Sequence, residues 1–340
     1  MNGLFLFIAR EVQMPYDPPY TITEKMLELV ADIAEAVGGI SSIGDMDKLP
    51  RLRRVGRMRS IQSSLAIENN SLTLDQVSDI IGGKRVIGPP NEIREVRNAY
   101  EAYKELESAD PYHIGDLLRT HRIMMAGLVK EPGEFRKTGV GVFGSDGVAV
   151  HVAPPARFVP ELMGDLFDWL KVSEAHALIR SSVFHYEFEF IHPFSDGNGR
   201  MGRLWQTAIL MTWKPVFAWI PTESIIRERQ AEYYDAIAVS TGEGKCDEFI
   251  LFMLRAILDA VRNFVSDVRA HTGHINERVR GLLAVMEFYP LSAAELMERL
   301  GLRSRDAFRN NYLKPAVEAG LVFLTEPDRP TSKNQRYFRK

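Results

Sequence analysis

The sequence is poor in cysteine and has no long apolar segment. Its 340 residues include one cysteine, Cys246, which cannot form a disulfide within its own chain. Such a chain suits a reducing compartment, and the cytoplasm is the expected location. No run of about 18 uncharged apolar residues occurs, which argues against a membrane-spanning helix. The apolar residues 4–9 end at Arg10 and are too few for a secretory signal.

The sequence also lacks a large excess of positive or negative charge. The chain has 42 Lys and Arg against 45 Asp and Glu, a net charge of −3, so the molecule as a whole does not attract nucleic acid or an anionic membrane. Hydrophobic residues make up 45% and charged residues 26%, which excludes collagen-like and wholly disordered classes. We expect an ordinary globular protein of two or three domains.

Two common catalytic motifs are missing, and a third is present only as a string of letters. The sequence has neither the GxxxxGK[ST] of a phosphate-binding loop nor the GxSxG of a nucleophile elbow. Residues 139–144 spell GxGxxG, but a turn and a second strand are expected after the third glycine. A dinucleotide-binding fold requires a helix there, so we reject that interpretation.

The pattern of helix starts and turns divides the chain into three regions. Residues 1–90 form a helical N-terminal region, residues 91–270 a mostly helical core, and residues 275–340 a C-terminal domain. A capping box from Thr73 to Gln76 predicts a short helix that ends at Gly82. Apolar residues at spacings of three and four predict seven longer helices, at 26–36, 47–68, 92–107, 114–128, 158–169, 175–191 and 200–211. The predicted fold class is mainly α.

One β-hairpin is expected to interrupt the helical core at residues 138–155. Valines at 140 and 142 alternate with glycines, and a second alternating run holds valines at 148, 150 and 152. The turn between the two strands is predicted at 145–147, where the sequence is Ser-Asp-Gly.

The C-terminal region has the element order of a winged helix-turn-helix. Ser292 is a predicted helix cap, residues 293–300 a helix, Gly301 a turn, Ser304 the start of a second helix, and residues 321–325 a strand. Residues 301–340 hold nine basic and four acidic residues, a net charge of +5. Such clustering is typical of DNA binding, although winged helices also contact proteins, and we keep DNA or a protein as the partner of this region.

Residues 191–203 carry the most chemical information. Pro193 is expected to hold His192 in an extended conformation at the end of the preceding helix, available as a base. Asp196 supplies the kind of oxygen that Mg²⁺ prefers. The sequence Gly-Asn-Gly at 197–199 lets backbone amides approach an anion at a helix N-terminus.

Two arginines follow on that helix. Arg200 and Arg203 lie three residues apart, so both can reach one polyphosphate. Two other interpretations stay open at this point. The segment could be a structural turn between helices, or His185, Glu189 and His192 could hold a metal ion, although they lack the HExxH spacing.

Residues 192–203 resemble the signature of the Fic family, HPFx[DE]GNGRxxR, and match all nine specified positions. The resemblance implies a Fic-type helical bundle and an enzyme that transfers AMP from ATP to a Ser, Thr or Tyr hydroxyl of a target protein. It implies that His192 is the general base, that Asp196 holds Mg²⁺ and that Phe194 packs the loop. Five residues would contact the nucleotide phosphates: Gly197, Asn198, Gly199, Arg200 and Arg203, the last at the γ phosphate.

A second match lies ahead of the core. Residues 64–69 resemble the family's inhibitory motif, [ST]xxxE[GN], in which Ser64 and Glu68 share a helix face. The resemblance implies that Glu68 pairs with Arg203 and places a negative charge where the γ phosphate would lie. The enzyme is therefore expected to be auto-inhibited.

The resemblance also implies partners and leaves alternatives. The hairpin at 138–155 would act as a flap that docks the target protein by strand addition, and Tyr233 and Tyr234 would contact adenine and ribose. The same site could instead remove AMP from a modified target, or the chain could be a nucleotide-sensing DNA-binding regulator. Relatives transfer other phosphate-containing groups, and a homodimer is kept as one option for the oligomeric state.

Overall fold

A computed structural model describes nine stretches of the chain, namely residues 16–43, 50–139, 141–143, 149–273, 277–286, 289–318, 321–327, 329–330 and 332–339. The N-terminal region and core contain the helices α1 (Glu24–Ile43), α2 (Pro50–Ile67), α3 (Leu74–Ile81), α4 (Pro90–Glu105), α5 (Ile114–Met124), α6 (Val159–Val172), α7 (Ala177–Ile191), α8 (Asn198–Trp213), α9 (Thr222–Glu228), α10 (Gln230–Glu243) and α11 (Asp247–Gly273). The described helices include none with the length and apolar character that crossing a membrane requires.

The predicted helices are confirmed, with ends that differ by a few residues. The predicted helix at 47–68 is α2, of which 47–49 lie outside the described residues. The capping box ahead of α3 is formed as predicted, because the Thr73 hydroxyl accepts from the Gln76 amide and the Gln76 side chain accepts from the Thr73 amide. The helix predicted from 200 begins earlier, at Asn198, because Gly197 adopts a left-handed conformation and serves as its N-cap.

Helix α7 lies at the centre of the bundle. All of its residues except Arg180 and Phe190 are buried, which is the pattern of a helix covered on every side. It packs against α8 and α11, and α11 packs against α1. One continuous hydrophobic core joins α1 through α11. Because α7 and α8 are packed in the core, the end of α7 and the start of α8 are held in place. Residues 192–197, here called the signature loop, connect the two.

Helix α2 packs against α9 and the segment before it. A side chain at Gly56 would overlap the Trp219 carbonyl oxygen, so the two backbones are in direct contact there. The Ser60 hydroxyl donates to Glu223 Oε2 at 2.8 Å. Burial raises the pKa of the Glu223 carboxyl, and this carboxyl also accepts from the Tyr103 hydroxyl. Polar contacts therefore attach one face of α2 to the core.

The predicted hairpin is present. Strand β1 (Gly141–Phe143) pairs antiparallel with β2 (Ala149–Val152), with Gly141 opposite Val152 and an irregularity between Val142 and Phe143. The predicted turn at 145–147, and Val140 and Val148, lie outside the described residues.

The C-terminal domain has its own hydrophobic core. It contains α12 (Glu277–Val285), β3 (Leu291–Ser292), α13 (Ala293–Arg299), α14 (Arg305–Phe308), a π-helical turn (Arg309–Leu313), α15 (Lys314–Glu318), β4 (Phe323–Leu324) and β5 (Arg336–Phe338). The three strands lie in the order β3-β5-β4. Ser292 and Ser304 cap the two helices that the sequence predicted, and the predicted strand at 321–325 is β4. The element order is the one expected of a winged helix.

Candidate active site

His192 terminates α7 in a left-handed conformation, with φ 50° and ψ 61°. Its amide donates to the Phe188 carbonyl at 2.9 Å, and its own carbonyl accepts from Arg136 Nε at 2.7 Å. The sequence-based expectation of an extended His192 is therefore wrong. Pro193 does end the helix, but capping of the helix C-terminus selects the left-handed region over the extended one.

The imidazole of His192 lies at the edge of the buried region, with 18% of its side chain exposed. Its Nδ1 is 3.8 Å from Glu189 Oε2, and Glu189 is almost fully buried on the preceding turn of α7. Burial raises the pKa of the Glu189 carboxyl to about 8. The buried Glu189 carboxyl thus lies beside Nδ1, on the side of the ring away from Nε2.

Phe194 holds the loop against the core, as the sequence predicted for a packing residue. Its ring is fully buried and stacks on the His121 imidazole, with ring centroids 3.6 Å apart. His121 Nδ1 accepts from the Gly133 amide, so Nε2 carries the proton and donates to the Asp196 carbonyl at 3.1 Å. Burial lowers the pKa of His121 to about 4, which keeps the ring neutral. Sequence analysis missed this residue.

The side chain of Asn198 connects the two ends of the loop. Its Oδ1 accepts from the Phe194 amide at 2.8 Å, and its Nδ2 donates to the Phe194 carbonyl at 2.9 Å. The side chain is 98% buried. Both ends of the amide are thus used to close the loop.

Asp196 and Arg200 form a charged pair at the start of α8. Asp196 Oδ1 accepts from the Gly197 amide at 2.6 Å and from Arg200 Nη2 at 3.0 Å, while the Asp196 side chain is 59% exposed. Arg200 is buried, and its Nη1 donates to Glu95 Oε1 at 3.0 Å. Glu95 also went unnoticed in the sequence. A phosphate that approached Arg200 would therefore compete with two carboxylates.

Arg203 makes the contact predicted with the inhibitory motif. Its Nη2 donates to Glu68 Oε1 at 2.7 Å and to the Ser64 carbonyl at 3.0 Å, and its Nε donates to the Ser64 hydroxyl at 3.1 Å. Burial alone would lower the pKa of the guanidinium, but the charge of Glu68 raises it above its ordinary value. The predicted Glu68–Arg203 pair is confirmed.

Gly199 provides the space in which Glu68 lies. A side chain at position 199 would overlap Glu68 Oε1, and it would also come within 3.0 Å of Arg203 Nη1. The Glu68 carboxylate is thus at the N-terminus of α8, where backbone amides and the helix dipole favour an anion. A carboxylate of this chain occupies the kind of position that a phosphate group would take.

The two tyrosines differ in their surroundings. Tyr233 is 98% buried, and its hydroxyl is 3.1 Å from His185 Nε2, so its ring belongs to the core behind the site. Tyr234 is half-buried, and both burial and the charge of Glu68 raise its pKa. Of the pair, Tyr234 is the one placed beside the inhibitory carboxylate and open to solvent.

The three side chains of the alternative metal site, those of His185, Glu189 and His192, lie near one another but are not arranged as metal ligands. Glu189 Oε1 is 3.8 Å from His185 Nε2, and His185 is already bonded through Nδ1 to Gln206 Oε1 at 2.7 Å. Burial lowers the pKa of His185 to about 3. Within the described part of the chain, no group of three His, Cys, Asp or Glu side chains is arranged to hold a metal ion.

Two family models match the sequence. Residues 111–210 match the Fic/DOC family, and residues 277–338 match the C-terminal domain of the Fic-like proteins named for filamentation induced by cAMP. The first match contains the whole loop described above. The second coincides with the separate C-terminal domain.

Curated relatives are about 30% identical. The protein adenylyltransferase Fic of Culex quinquefasciatus is 30% identical over 226 residues, which are 63% of this chain and 43% of the relative. The protein adenylyltransferase fic-1 of Caenorhabditis elegans is 28% identical over 269 residues, 75% of this chain and 49% of the relative. The chain thus spans about half the length, or less, of these relatives.

Solved structures share the fold. Fic-1 of C. elegans is 23% identical, covers 72% of this chain and 73% of the solved chain, and has a TM-score of 0.61. A Fic family protein from Desulfovibrio desulfuricans G20 is 50% identical over 96% of this chain and 98% of the solved one, with a TM-score of 0.74. On this identity and coverage, the chain belongs to the Fic family.

Proposed function

We propose that the protein is an adenylyltransferase that moves AMP from ATP to a Ser, Thr or Tyr hydroxyl of a target protein, and that Glu68 restrains it. The names of the curated relatives support the activity. The observation that carries the proposal is the occupation of the α8 N-terminus by Glu68, paired with Arg203, in the loop that begins with His192. A site built for an anion is thereby held by an anion of the same chain.

The proposed reaction is an in-line displacement at the α phosphorus. His192 Nε2 takes the proton of the target hydroxyl, because Nδ1 faces Glu189. The hydroxyl oxygen forms a bond to the α phosphorus while the bond from that phosphorus to the bridging oxygen breaks. Pyrophosphate leaves, and the imidazole holds the proton. The amides at the start of α8 orient the phosphate groups.

Asp196 fits the role of magnesium ligand. Mg²⁺ is usually held by one or two carboxylates together with substrate phosphates, and Asp196 offers a carboxylate that is 59% exposed beside the α8 N-terminus. When bound, the ion would neutralise charge on the phosphate oxygens. Arg200 fixes the orientation of the Asp196 carboxylate through its contact at 3.0 Å.

Arg203 is the residue through which the restraint acts. In the proposed active state its guanidinium binds the γ phosphate, and this requires the bond to Glu68 Oε1 to open. As long as Glu68 stays in place, its carboxylate repels the γ phosphate, and the Arg203 guanidinium is not available to bind that phosphate. The phosphates then either do not bind or bind with the α phosphorus out of line with His192.

The test is transfer of label from ATP in matched variants. With ATP labelled at the α phosphate, Glu68→Gly should label protein strongly, the wild type weakly, and ATP labelled at the γ phosphate should give no label. Asn69→Gly is the matched control, because Asn69 already has φ 66° and glycine there preserves Glu68. Label that survives in Glu68→Gly/His192→Ala would overturn the assignment of the base.

The same variants address the alternative reaction. If Glu68 positions water to remove AMP, Glu68→Gly should abolish the release of AMP from a modified target instead of increasing transfer. The mass gained by a labelled peptide identifies the transferred group and the modified side chain.

The hairpin is the proposed docking site for the target. Strands β1 and β2 form a two-stranded sheet, and a two-stranded sheet has edges that can accept a further strand. Docking through main-chain bonds needs little from particular side chains. The target segment should therefore be extended around its modified hydroxyl.

DNA is the partner that we propose for the C-terminal domain, as a winged helix. Three exposed arginines lie in or beside α14, namely Arg303, Arg305 and Arg309, and none of the three pairs with a carboxylate among the described residues. Binding of the full chain to duplex DNA should weaken steeply with salt. Unaltered binding in Arg305→Ala/Arg309→Ala would exclude this face, and absence of DNA binding would favour the protein partner.

A further inference from the structure

Arg136 is a buried arginine whose guanidinium donates hydrogen bonds to backbone carbonyls. It is 97% buried in the segment between α5 and β1. Its Nε donates to the His192 carbonyl at 2.7 Å and its Nη1 to the Thr138 carbonyl at 2.9 Å. Its Nη2 donates to the carbonyls of Pro154, at 2.5 Å, and Ile191, at 3.2 Å. One guanidinium thus serves four carbonyl groups.

The charge of Arg136 is balanced by the end of a helix. Within the described part of the chain no carboxylate pairs with it, whereas Ile191 and His192 contribute the final carbonyls of α7. Carbonyls at a helix C-terminus carry partial negative charge and lack partners within the helix. A planar group with five donors in a fixed fork is needed to reach four carbonyls at once, and lysine cannot do this.

The four carbonyls belong to two functional elements. Thr138 precedes β1 and Pro154 follows β2, so they are the two ends of the hairpin. Ile191 and His192 are the start of the signature loop. The backbone amide of Arg136 adds a further link, because it donates to the Pro193 carbonyl at 2.9 Å. Arg136 therefore connects the flap to the residue proposed as base.

His192 also depends on such support for its conformation. A non-glycine residue with φ 50° is in an unfavourable region and persists only where its surroundings hold it there. The bond from Arg136 Nε to the His192 carbonyl restrains this peptide unit directly. Among the described residues, neither Arg203 nor the N-terminus of α8 forms a hydrogen bond with Arg136, so the elements that would hold the nucleotide are separate from it.

We infer that Arg136 is a positioning residue that couples the flap to His192. It holds both ends of the docking hairpin at a fixed distance from the imidazole, so that a target strand on the flap brings its hydroxyl to Nε2. The inference rests on the proposed function for the role of His192 and of the flap. It predicts that loss of the four-carbonyl arrangement impairs the step with the target and spares nucleotide binding.

The kinetic test compares Arg136→Lys and Arg136→Gln in the Glu68→Gly background. Transfer to protein should fall by about 100-fold, the scale that a misplacement of about 1 Å produces, while the dissociation constant for MgATP changes by less than about threefold. Arg94→Lys is the matched control, because Arg94 Nη1 also donates to a carbonyl, that of Gly127, at 2.8 Å. It should leave both quantities unchanged.

Two kinetic outcomes would overturn the inference. Transfer that stays within a factor of three in Arg136→Lys shows that the arrangement does not position the base. A parallel loss of MgATP binding and transfer, together with a lower melting temperature, shows a general structural role.

Amide hydrogen exchange supplies a readout that does not depend on activity. In Arg136→Lys, peptides that cover 136–139, 153–155 and 190–195 should exchange faster together, while peptides of α1 and α11 keep the rate of the parent. If only one of the two elements responds, the coupling is absent. The Glu68→Gly parent could show no AMP transfer while the hairpin and the signature loop both exchange faster in Arg136→Lys. That result would contradict the proposed function and still support the coupling.

Discussion

The signature loop at 192–197 and the inhibitory turn at 64–69 meet at Arg203, yet they are built differently. In the loop, Phe194 is fully buried, and Asn198 bonds both of its backbone groups. In the inhibitory turn, Glu68 is one-third exposed, and its Oε1 accepts from Arg203 Nη2 at 2.7 Å. The loop is thus a buried scaffold, and on the proposed function the Glu68 carboxylate would leave Arg203 while the loop contacts stay in place.

The difference follows from the partners available to each segment. The contacts of Phe194 with Asn198 are between buried neutral groups, where a lost partner leaves a buried polar atom unsatisfied. The Glu68 carboxylate is one-third exposed, so water can solvate it when the pair opens, whereas the buried Arg203 guanidinium then needs another anion in its place. A phosphate at Arg203 would supply that anion, so exchange of Glu68 for a phosphate is expected to require less free energy than deformation of the loop. Four variants test that contrast.

Removal of the inhibitory carboxylate should have the largest effect. Two unit charges at about 4 Å interact by about 4 kcal/mol at an effective dielectric constant near 20, and water around the exposed part of Glu68 reduces this. We expect Glu68→Gly to raise the rate of AMP transfer by about 100-fold, since each factor of ten corresponds to about 1.4 kcal/mol. Initial rates at low ATP concentration measure it, and Glu68→Gln should give a smaller gain. If Glu68→Gly transfers AMP at the wild-type rate, Glu68 does not restrain the enzyme and that part of the proposal is wrong.

Loss of the loop scaffold should be the next largest effect. In the Glu68→Gly background, Asn198→Ala leaves the Phe194 amide and carbonyl buried without partners, at about 1–3 kcal/mol each. We expect a fall in transfer of about 30-fold and a lower free energy of unfolding in urea. Asn198→Asp is the matched variant, because it keeps the acceptor and removes the donor. If both variants transfer at the parent rate, the loop is less dependent on this side chain than its contacts indicate.

The His121 support should matter less and should be sensitive to acid. His121→Gln keeps a donor for the Asp196 carbonyl but loses the stack on Phe194, and transfer should fall by about tenfold. The folded-state pKa of His121 is about 4, below its ordinary value of 6.5, so the unfolded chain binds the proton first. Stability is therefore full above pH 6.5 and falls toward pH 4 by up to about 1.4 kcal/mol per pH unit.

Unfolding by urea at pH 7.5 and at pH 5 measures this difference. His121→Gln should show a shallower loss between the two values than the wild type does. Some loss will remain, because burial also lowers the pKa of His185, to about 3. An equal loss in both proteins would mean that His121 is protonated in the folded state.

The Ser64 hydroxyl should have the smallest effect. Ser64→Ala removes the bond from Arg203 Nε at 3.1 Å but keeps the bond from Nη2 to the Ser64 carbonyl. A hydrogen bond of this kind contributes about 0.5–1.5 kcal/mol, so transfer by the otherwise wild-type protein should rise about threefold. Ser63→Ala is the comparison, because Ser63 bonds Ser224 on α9. A gain as large as that of Glu68→Gly would contradict the role given to the carboxylate.

Local patterns were enough to predict the helices, the two caps and the hairpin, whereas the pair between Glu68 and Arg203 was implied by the resemblance to the Fic family. They failed where a residue's role depends on a distant partner. His121 supports Asp196, and Glu95 bonds Arg200, yet nothing near them in the sequence marks them. The left-handed His192 was missed because local preference before proline disfavours it, and capping by Arg136 overrides that preference.

The direct contact between Gly56 and the Trp219 carbonyl has a consequence for inheritance. Any side chain at position 56 would have to displace either the Trp219 backbone or the helix that carries Glu68, although this position takes no part in chemistry. On the proposed function, a single base change in the codon would disturb the placement of Glu68 and so weaken the proposed restraint. How strictly glycine is retained at that codon in natural populations would then report the combined cost of a disturbed fold and of unrestrained transfer.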